Sequence, residues 1–523
     1  MTVAVPDPLP KPSWRQTLAS LWQWRVLSLL CLGFSAGLPI LLIFSSLSLW
    51  LGEAGVERKA VTFFSWAALG YSFKFIWAPL VDRLPLPWLT ARLGRRRAWL
   101  LLAQLAVMLA IVGMGLTDPA QGEVALTRMA WWAVCLGFAS ATQDIVIDAY
   151  RIEVAPAEQQ GLLSSAYIAG YRLGMIVAGA GALFLAAQWG SAKGQYVYLA
   201  WQWTYLCMAA VMGVGLLTTL CSPEPRRPDG TDAPADPGAS WGHARLLAVF
   251  LLSVLAFVGC FVATGRVWTA LGAGAAGPLA GLLLEAARLL LSLAAAFALG
   301  AALVRAGVAS RAQARQTWVE PVLDFFRRYG WRSAALILAL VGLYRISDIV
   351  LGVISNVFYQ DMGFSKPEIA YAVKTFGVVV GILGGFAGGL LATRIGVMRS
   401  LFWGAVMAAL TNLGFVALAH AGHDLPLMYA VVAADNLAAG FSSAAFVAFL
   451  SSLTSVSFTA VQYAIFSSLM TLLPKTLGGY SGGMVDAMGY PGFFWFTAGI
   501  GLPVLALVWL AQRQLAVAPP GPR

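Results

Sequence analysis

TQDIVIDAYRIEVAPAEQQGLLSSAYIAGYR, residues 142–172, ends one long apolar segment and begins the next. Asp144, Asp148 and Arg151 stand at i, i+4 and i+7, so they share one face if this segment is a helix. A charge at the bilayer centre costs about 2.5–3.5 kcal/mol on insertion scales. The pattern therefore indicates charged groups that either face a functional cavity or pair with one another and lock two helices.

The same stretch predicts a tight connection between two helices. Ala-Pro-Ala-Glu at 155–158 is a turn signal. Tyr171 and Arg172 follow it inside the second apolar segment, where a cation is again costly unless it is functional or paired.

The composition is that of an integral membrane protein. Of the 523 residues 59% are hydrophobic and only 11% are charged, whereas soluble domains carry about 25% charged residues. Apolar runs of about 20 residues recur without strict alternation, which favours membrane-spanning helices over a β-barrel. The five cysteines have neither disulfide nor metal-ligand spacing, so we expect no metal and no cofactor.

We predict an all-α polytopic protein with fourteen spans grouped six, two and six, which include spans at 60–82 and 457–480. The predicted boundaries are an N-terminal tail at 1–24, a six-helix bundle at 25–221, a second six-helix bundle at 333–512 and a tail at 513–523. Residues 222–332 are predicted to hold a Pro/Asp/Gly-rich linker, an extra transmembrane hairpin and an arginine-rich surface helix.

The distribution of lysines and arginines over the loops predicts the orientation of the protein in the membrane. Most of the 34 lysines and arginines fall in loops on the N-terminal side of the membrane, which the positive-inside rule places in the cytoplasm, together with both termini. The net charge of +11 is therefore explained without a nucleic-acid partner.

The two sets of six spans are predicted to be repeats. Residues 137–141 (GFASA) match 440–444 (GFSSA), and the same offset pairs Gln159 with Gln462 and Arg172 with Lys475. A basic loop recurs as well, with Gly-Arg-Arg-Arg at 94–97 in the first half and Gly-Val-Met-Arg at 396–399 in the second. Two parallel six-helix repeats with a midplane site are the architecture of major facilitator transporters.

Several strings make the resemblance closer. The sequence resembles the bacterial muropeptide permease family of the major facilitator superfamily in GFSAGLP (33–39), SFKFIWAPLVDR (72–83), GRRRAWLL (94–101), ATQDIVIDAY (141–150) and GYRLGM (170–175). In the second half the similar strings are VKTFG (373–377), DNL (435–437), AAFVAFL (444–450) and FTAVQYAIFSS (458–468). The extra helix pair between the halves also resembles this family.

The resemblance implies a secondary transporter of the bacterial inner membrane. Such a permease imports N-acetylglucosaminyl-1,6-anhydro-N-acetylmuramyl peptides from periplasm to cytoplasm for cell-wall recycling, with the proton motive force, and so feeds β-lactamase induction. Its partners would be the muropeptide, protons and the bilayer, and we expect a monomer.

Candidate site residues follow from this function and from the charges inside spans. Asp144 and Asp148, one turn apart, are the candidates for proton coupling. Asp82, Arg83, Arg95, Arg96 and Arg97 resemble a gating-loop signature, although a plain cytoplasmic anchor is the alternative. The candidates for substrate binding are Lys74, Gln143, Tyr171, Arg172, Arg345, Asp348, Lys374, Asn436 and Gln462.

Alternatives stay open for some of these residues and for the substrate. Arg345 and Asp348, at i and i+3, could equally form an intrahelical ion pair. A major facilitator for another acidic solute, such as an acyl-CoA or a peptide, is the alternative function. An enzyme is not expected, because the three histidines lie in a linker and a loop and no nucleophile with a base is visible.

Overall fold

Nearly all regular structure is helical in the computed structural model, which describes residues 22–56, 71, 73–156, 159–192, 194–225, 237–270, 278–478 and 481–517. Residues 1–226 and 327–523 form one compact unit, and residues 227–326 form a second. The first unit includes both of the predicted six-helix bundles, at 25–221 and 333–512.

The first half begins with one apolar span that is interrupted at Phe44 and ends before the linker. Its helices are α1 (Trp24–Ile43), α2 (Ser45–Glu53), α3 (Ala78–Arg83), α4 (Leu89–Leu93), α5 (Arg95–Gly115), α6 (Glu123–Val154), α7 (Gln160–Ile176), α8 (Ala182–Gln188) and α9 (Tyr198–Cys221). A π turn at Val177–Gly181 joins α7 to α8.

The second unit contains the predicted hairpin. Its helices are α10 (Pro237–Ala270), α11 (Pro278–Arg305) and α12 (Arg311–Ala314). The Arg288 guanidinium of α11 donates to the Phe261 carbonyl of α10 from Nε at 2.8 Å and from Nη2 at 2.7 Å. A cation inside the apolar hairpin is thereby satisfied by a backbone acceptor.

The arginine-rich segment after the hairpin is helical, as predicted, although its place on the membrane surface stays a prediction. The chain runs from α12 through a π turn into α13 (Glu320–Leu343). Gly330 interrupts α13 with φ 70° and ψ 162°. Because such a backbone conformation suits glycine, the arginine-rich segment and the following span are separate helices.

The second half repeats the first. Its helices are α14 (Ile346–Asp361), α15 (Lys366–Ile369), α16 (Gly377–Ile395), α17 (Val397–Ala421), α18 (Leu425–Leu453), α19 (Thr459–Gly478), α20 (Ser481–Gly499) and α21 (Gly501–Val517). Gly94 and Gly396, which the sequence repeat aligns, precede α5 and α17 with φ 87° and 88°. A glycine with the same positive φ thus precedes the third span of each half, as the alignment of the two basic loops predicts.

The number of spans is settled only in part. Within the described residues, twelve helices are long and apolar enough to cross a membrane. The predicted span at 60–82 lies largely outside the described residues. The one at 457–480 corresponds to α19, whose apolar stretch Thr459–Leu472 is shorter. The count of fourteen therefore stays a prediction.

Glycines let helices touch through their backbones. In α7, an added Cβ at Gly170 or Gly174 would meet the carbonyl oxygens of Leu30 and Phe34 on α1, and one at Gly33 would meet Tyr167. Two sequence strings of the family resemblance, 33–39 and 170–175, are therefore one packing surface. In the second half Gly384 and Gly388 of α16 approach α18 in the same way.

Between the halves, α7 packs on α16 and α18, while α19 packs on α3 and α6. The fifth span of each half therefore contacts the opposite half. The stretch quoted first, which supplies the end of α6 and most of α7, lies at this interface.

We expect Gly170→Val to abolish the folded protein, because its side chain meets backbone that cannot move aside. Gly213→Val in α9 is the matched control, since a Cβ there meets nothing within 4 Å. The measurement is the monodisperse yield in detergent by size-exclusion chromatography. Equal yields for the two variants would contradict the assigned α1–α7 packing.

Candidate functional site

A buried ion triad occupies the end of α6 and the segment before α3. Lys74 Nζ lies 3.6 Å from Asp148 Oδ2, and Arg151 Nη2 lies 3.4 Å from Asp148 Oδ1. All three side chains are less than a tenth exposed. The sequence pattern predicted a shared face for Asp148 and Arg151, and the structure adds Lys74 to it from another helix.

Arg151 also reaches across to the second half. Its Nη1 donates to Ser164 Oγ at 3.1 Å and to Ser451 Oγ of α18 at 2.6 Å. The guanidinium carbon lies 5.1 Å from the centre of the Tyr463 ring on α19. The triad is therefore coupled to the contact between halves.

Asp144 is in a different environment from Asp148. It is 6% exposed, and its Oδ1 atom has no hydrogen-bond partner among the described residues. The charge of Lys74 acts on it, and the phenols of Tyr71 and Tyr171 are near enough to feel its charge. A buried carboxylate with so little compensation is costly when ionised.

Gln143 lies beside these groups at the interface of α6 with α1. It is fully buried, and its Nε2 donates to Ser35 Oγ at 3.4 Å. Its Oε1 has no hydrogen-bond partner within the part of the chain that the structure describes. Gln143 thus packs against α1 and keeps one unused acceptor.

The basic loop forms a second network, at the end of the bundle that we call the basic end (residues 82–97 with the ends of α6 and α18 and the start of α19). Arg96 Nη2 donates to Asp82 Oδ1 at 2.7 Å and to Glu153 Oε1 at 2.5 Å. Arg96 is 1% exposed, so two buried carboxylates share one buried guanidinium.

This network holds the beginning of α19 from the other half. Thr459 Oγ1 accepts from Arg96 at 2.8 Å and donates to Glu153 at 2.5 Å. The Val461 N–H donates to Asp82 Oδ2 at 3.2 Å. A carboxylate at a helix N-terminus is stabilised by unpaired N–H groups and by the helix dipole.

The other predicted loop residues make different contacts. Arg95 donates to the Asp82 carbonyl at 2.5 Å, and Arg83 lies 6.0 Å from the centre of the Phe458 ring. Arg97 donates to the carbonyls of Thr219 and Leu220 of its own half. Only some of the predicted basic residues therefore contact the second half.

Glu224 caps the helix that carries these arginines. Its two oxygens accept from the backbone N–H groups of Arg96 at 2.8 Å and Arg97 at 3.0 Å. Burial raises the pKa of Glu224 above its usual 4.5, and the two N–H donors offset this only in part.

Gln462, predicted as a substrate ligand, lies at the basic end. Its Oε1 accepts from the Ser455 N–H and from Arg328 Nη2, both at 2.8 Å. Its repeat partner Gln159 precedes the first residue of α7, so the repeat itself indicated a position at the start of a helix.

A second charged cluster, which we call the midplane quartet after the inward positions of its members in the predicted spans, is formed by side chains of α7, α18 and the start of α14. Its members are Arg172, Arg345, Asp348 and Asp435. Arg345 Nε lies 4.0 Å from Asp348 Oδ2, the charge of Asp435 acts on Arg172, and the charge of Asp348 acts on Asp435. The predicted ligands Arg172, Arg345 and Asp348 are thus brought together.

Two more predicted ligands border this quartet. Asn436 follows Asp435, donates to the Val432 carbonyl at 3.0 Å and packs on Gly377. Lys374 belongs to the π turn Ala370–Phe376, but its side chain lies outside the described residues.

Sequence reasoning missed the long-range partners in these networks. Glu153 follows the quoted Arg151 by two residues, so its place at the helix end was visible but its pairing with Arg96 was not. Ser451, Thr459 and Arg328 carried no signal, because a polar residue at a helix end is usually a cap. Among the described residues there is no group of acids, histidines and cysteines that could hold a metal.

Comparison with known proteins gives the following similarities. Residues 25–200 match the family described as "Acetyl-coenzyme A transporter 1". The anhydromuropeptide permease of Escherichia coli (strain K12) is 31% identical over 96% of this chain and 82% of its own.

Solved structures show the fold. The proton:xylose symporter XylE bound to 6-bromo-6-deoxy-D-glucose has a TM-score of 0.56 at 13% identity and covers 96% of this chain and 100% of its own. FucP in the outward conformation has a TM-score of 0.57 at 13% identity, with coverage of 93% and 97%. Both are major facilitator transporters, as the sequence predicted for this fold.

Arg96→Ala should loosen the basic end, because it leaves the buried Asp82 and Glu153 with only their longer ion pairs to Arg95, at 3.7 and 3.4 Å. Breaking a buried ion pair costs about 3–5 kcal/mol. The reporter is Ala460→Cys in a background without the five native cysteines, since Ala460 is 1% exposed at the start of α19. We expect maleimide labelling to accelerate by about tenfold or more.

The control for that variant is Arg97→Ala, which removes bonds only within the first half. It should leave the labelling rate of the reporter near that of the parent. A rate that is unchanged by Arg96→Ala, or raised equally by both variants, would contradict the assigned network.

Glu224 should make stability depend on pH. Because its folded-state pKa is raised, its contribution is fully present below pH 4.5 and is lost as the pH rises through the folded-state value. The melting temperature of the parent relative to Glu224→Gln should therefore fall between pH 4.5 and neutrality. A difference that grows with pH would show the opposite shift.

Proposed function

Because this chain belongs to the anhydromuropeptide permease family, we propose that it imports N-acetylglucosaminyl-1,6-anhydro-N-acetylmuramyl peptides across the bacterial inner membrane, driven by the proton gradient. The observation that carries the proposal is the 31% identity to the E. coli permease over 96% of the chain. The imported muropeptides would serve cell-wall recycling and, through it, β-lactamase induction.

The distribution of positive charge predicts which end of the protein faces the cytoplasm. If the positive-inside rule holds, the basic end and both termini face the cytoplasm. The Arg96–Asp82–Glu153 network with Thr459 then closes the cytoplasmic side, and import requires it to break after substrate has bound. The bonds from Arg151 to Ser451 would break in the same step.

Proton coupling is assigned to Asp144 in preference to Asp148. Asp148 has two cations within 3.6 Å, so its negative charge is compensated and a proton would have to displace an ion pair. Asp144 is buried with an unused oxygen, and binding a proton removes the cost of its charge. Lys74, which acts on both carboxylates, can hold the deprotonated form in the alternate state.

A second candidate substrate has one observation in its favour. The first half, residues 25–200, matches a family described as an acetyl-coenzyme A transporter. Because both solutes are large and anionic, the cations of the triad and of the midplane quartet do not separate them. The competition experiment below does.

The test is uptake by proteoliposomes of labelled N-acetylglucosaminyl-anhydromuramyl tripeptide with and without an inward proton gradient. We expect the gradient to raise accumulation several-fold and unlabelled disaccharide peptide, but not acetyl-CoA, to compete. Competition by acetyl-CoA alone, or no uptake by folded protein, would contradict the muropeptide assignment.

Asp144→Asn should separate transport from coupling. The neutral side chain mimics the protonated form, so exchange of labelled for unlabelled muropeptide across the membrane should continue, while the gradient no longer stimulates accumulation. Asp486→Asn, at an exposed carboxylate of α20, is the control and should keep the stimulation. Gradient-driven accumulation by Asp144→Asn at the parent rate would remove Asp144 from the mechanism.

A further inference from the structure

The midplane quartet has an unusual order of charges. The positive charge of Arg172 interacts with the positive charge of Arg345 as well as with the negative charge of Asp435. The negative charge of Asp435 interacts with the negative charge of Asp348 as well as with the positive charge of Arg172. Arg345 faces Asp348. Like charges are therefore neighbours, and the quartet has a positive side formed by two guanidiniums and a negative side formed by two carboxylates.

Among the described residues these charges have few partners. Their only ion pair within 4.0 Å among the described residues is that of Arg345 Nε with Asp348 Oδ2, at the limit of the range. Arg345 Nε is buried and has no hydrogen-bond partner in the described part of the chain. The Asp148 triad, in contrast, has several contacts of 3.6 Å or less.

The packing keeps Arg172 in place. A Cβ at Gly381 of α16 would collide with Arg172 Nη1 and would approach the Asn436 carbonyl. One end of the guanidinium thus lies against Gly381 of the opposite half. The Arg345 and Asp348 side chains are 26% and 14% exposed, so this edge of the quartet is less enclosed than the Asp148 triad.

Adjacent like charges in a partly desolvated site repel each other unless a ligand compensates them. An anion would neutralise the positive side alone and leave two carboxylates facing it. A cation would do the reverse. A group that carries an ammonium and a carboxylate together compensates both sides, and the described side chains of the quartet sum to no net charge, which matches a neutral dipolar group.

We propose that the midplane quartet is a subsite for a zwitterionic amino-acid group, with Arg172 and Arg345 binding its carboxylate and Asp348 and Asp435 binding its ammonium. The subsite rests on the proposed function, since it would recognise the peptide end of the muropeptide. Specificity for the peptide then depends on an ammonium as well as on a carboxylate.

The experiment uses the full chain in detergent and three disaccharide tripeptides. The first ends in diaminopimelate, whose free end carries an ammonium and a carboxylate on the same carbon, the second has that ammonium acetylated, and the third has that carboxylate amidated. Affinity is measured by isothermal titration for the parent, Asp435→Asn, Arg172→Gln and the control Asp486→Asn.

We expect each blocking group to weaken binding to the parent about tenfold, since each removes a charge-assisted contact. Asp435→Asn should lose the preference for the free ammonium and keep that for the carboxylate, and Arg172→Gln should do the opposite. The control should retain both preferences. Circular dichroism and size exclusion establish that each variant is folded.

Three results would overturn the subsite: equal affinity of the parent for all three ligands, no measurable binding of any of them, or unchanged preferences in both quartet variants. The proposed function fails separately. If the free-ammonium ligand binds with the expected preferences but proteoliposomes do not accumulate it, the subsite stands and muropeptide import does not.

Discussion

Arg96 sits between two buried carboxylates, and the contact between the two halves at the basic end depends on this arrangement. An ion in a medium of low polarity is stable only when it is paired and fully hydrogen-bonded. Asp82 and Glu153 are both paired with Arg96. Their carboxylates also accept hydrogen bonds from the Thr459 hydroxyl and from the Val461 N–H. The start of α19 therefore completes an ionic network of the first half.

The same logic distinguishes the charged groups along α6. Asp148 is balanced by Lys74 and Arg151, and Arg151 is also anchored on Ser451. Asp144, one turn away, has little compensation. In the proposed mechanism one helix thus carries a paired structural charge at Asp148, a proton-binding charge at Asp144 and, at its end, the Glu153 charge that takes part in closure.

The sequence predicts much of this and fails where contacts are distant along the chain. Composition and apolar run length give the membrane-spanning helices, and the repeat gives the two halves. The i, i+4, i+7 spacing predicts the shared face of Asp144, Asp148 and Arg151. The pairing of Arg96 with Glu153 depends on how α5 and α6 are rotated against each other, which hydrophobicity does not encode in a span surrounded by lipid. The polarity of Gln462 predicts a substrate ligand, whereas its contacts with Ser455 and Arg328 at the basic end depend on tertiary packing.

The central claim is that the basic end is a gate that opens during transport. Ala91 and Ser457 are two exposed positions of that end in opposite halves. Spin labels at Ala91→Cys and Ser457→Cys, in a background without native cysteines, report the distance between the halves by pulsed electron paramagnetic resonance. The account predicts a short distance without ligand and a population at least about 5 Å longer when muropeptide and low pH are combined, as gate opening requires element shifts of that order. One unchanged distance under all conditions would contradict it.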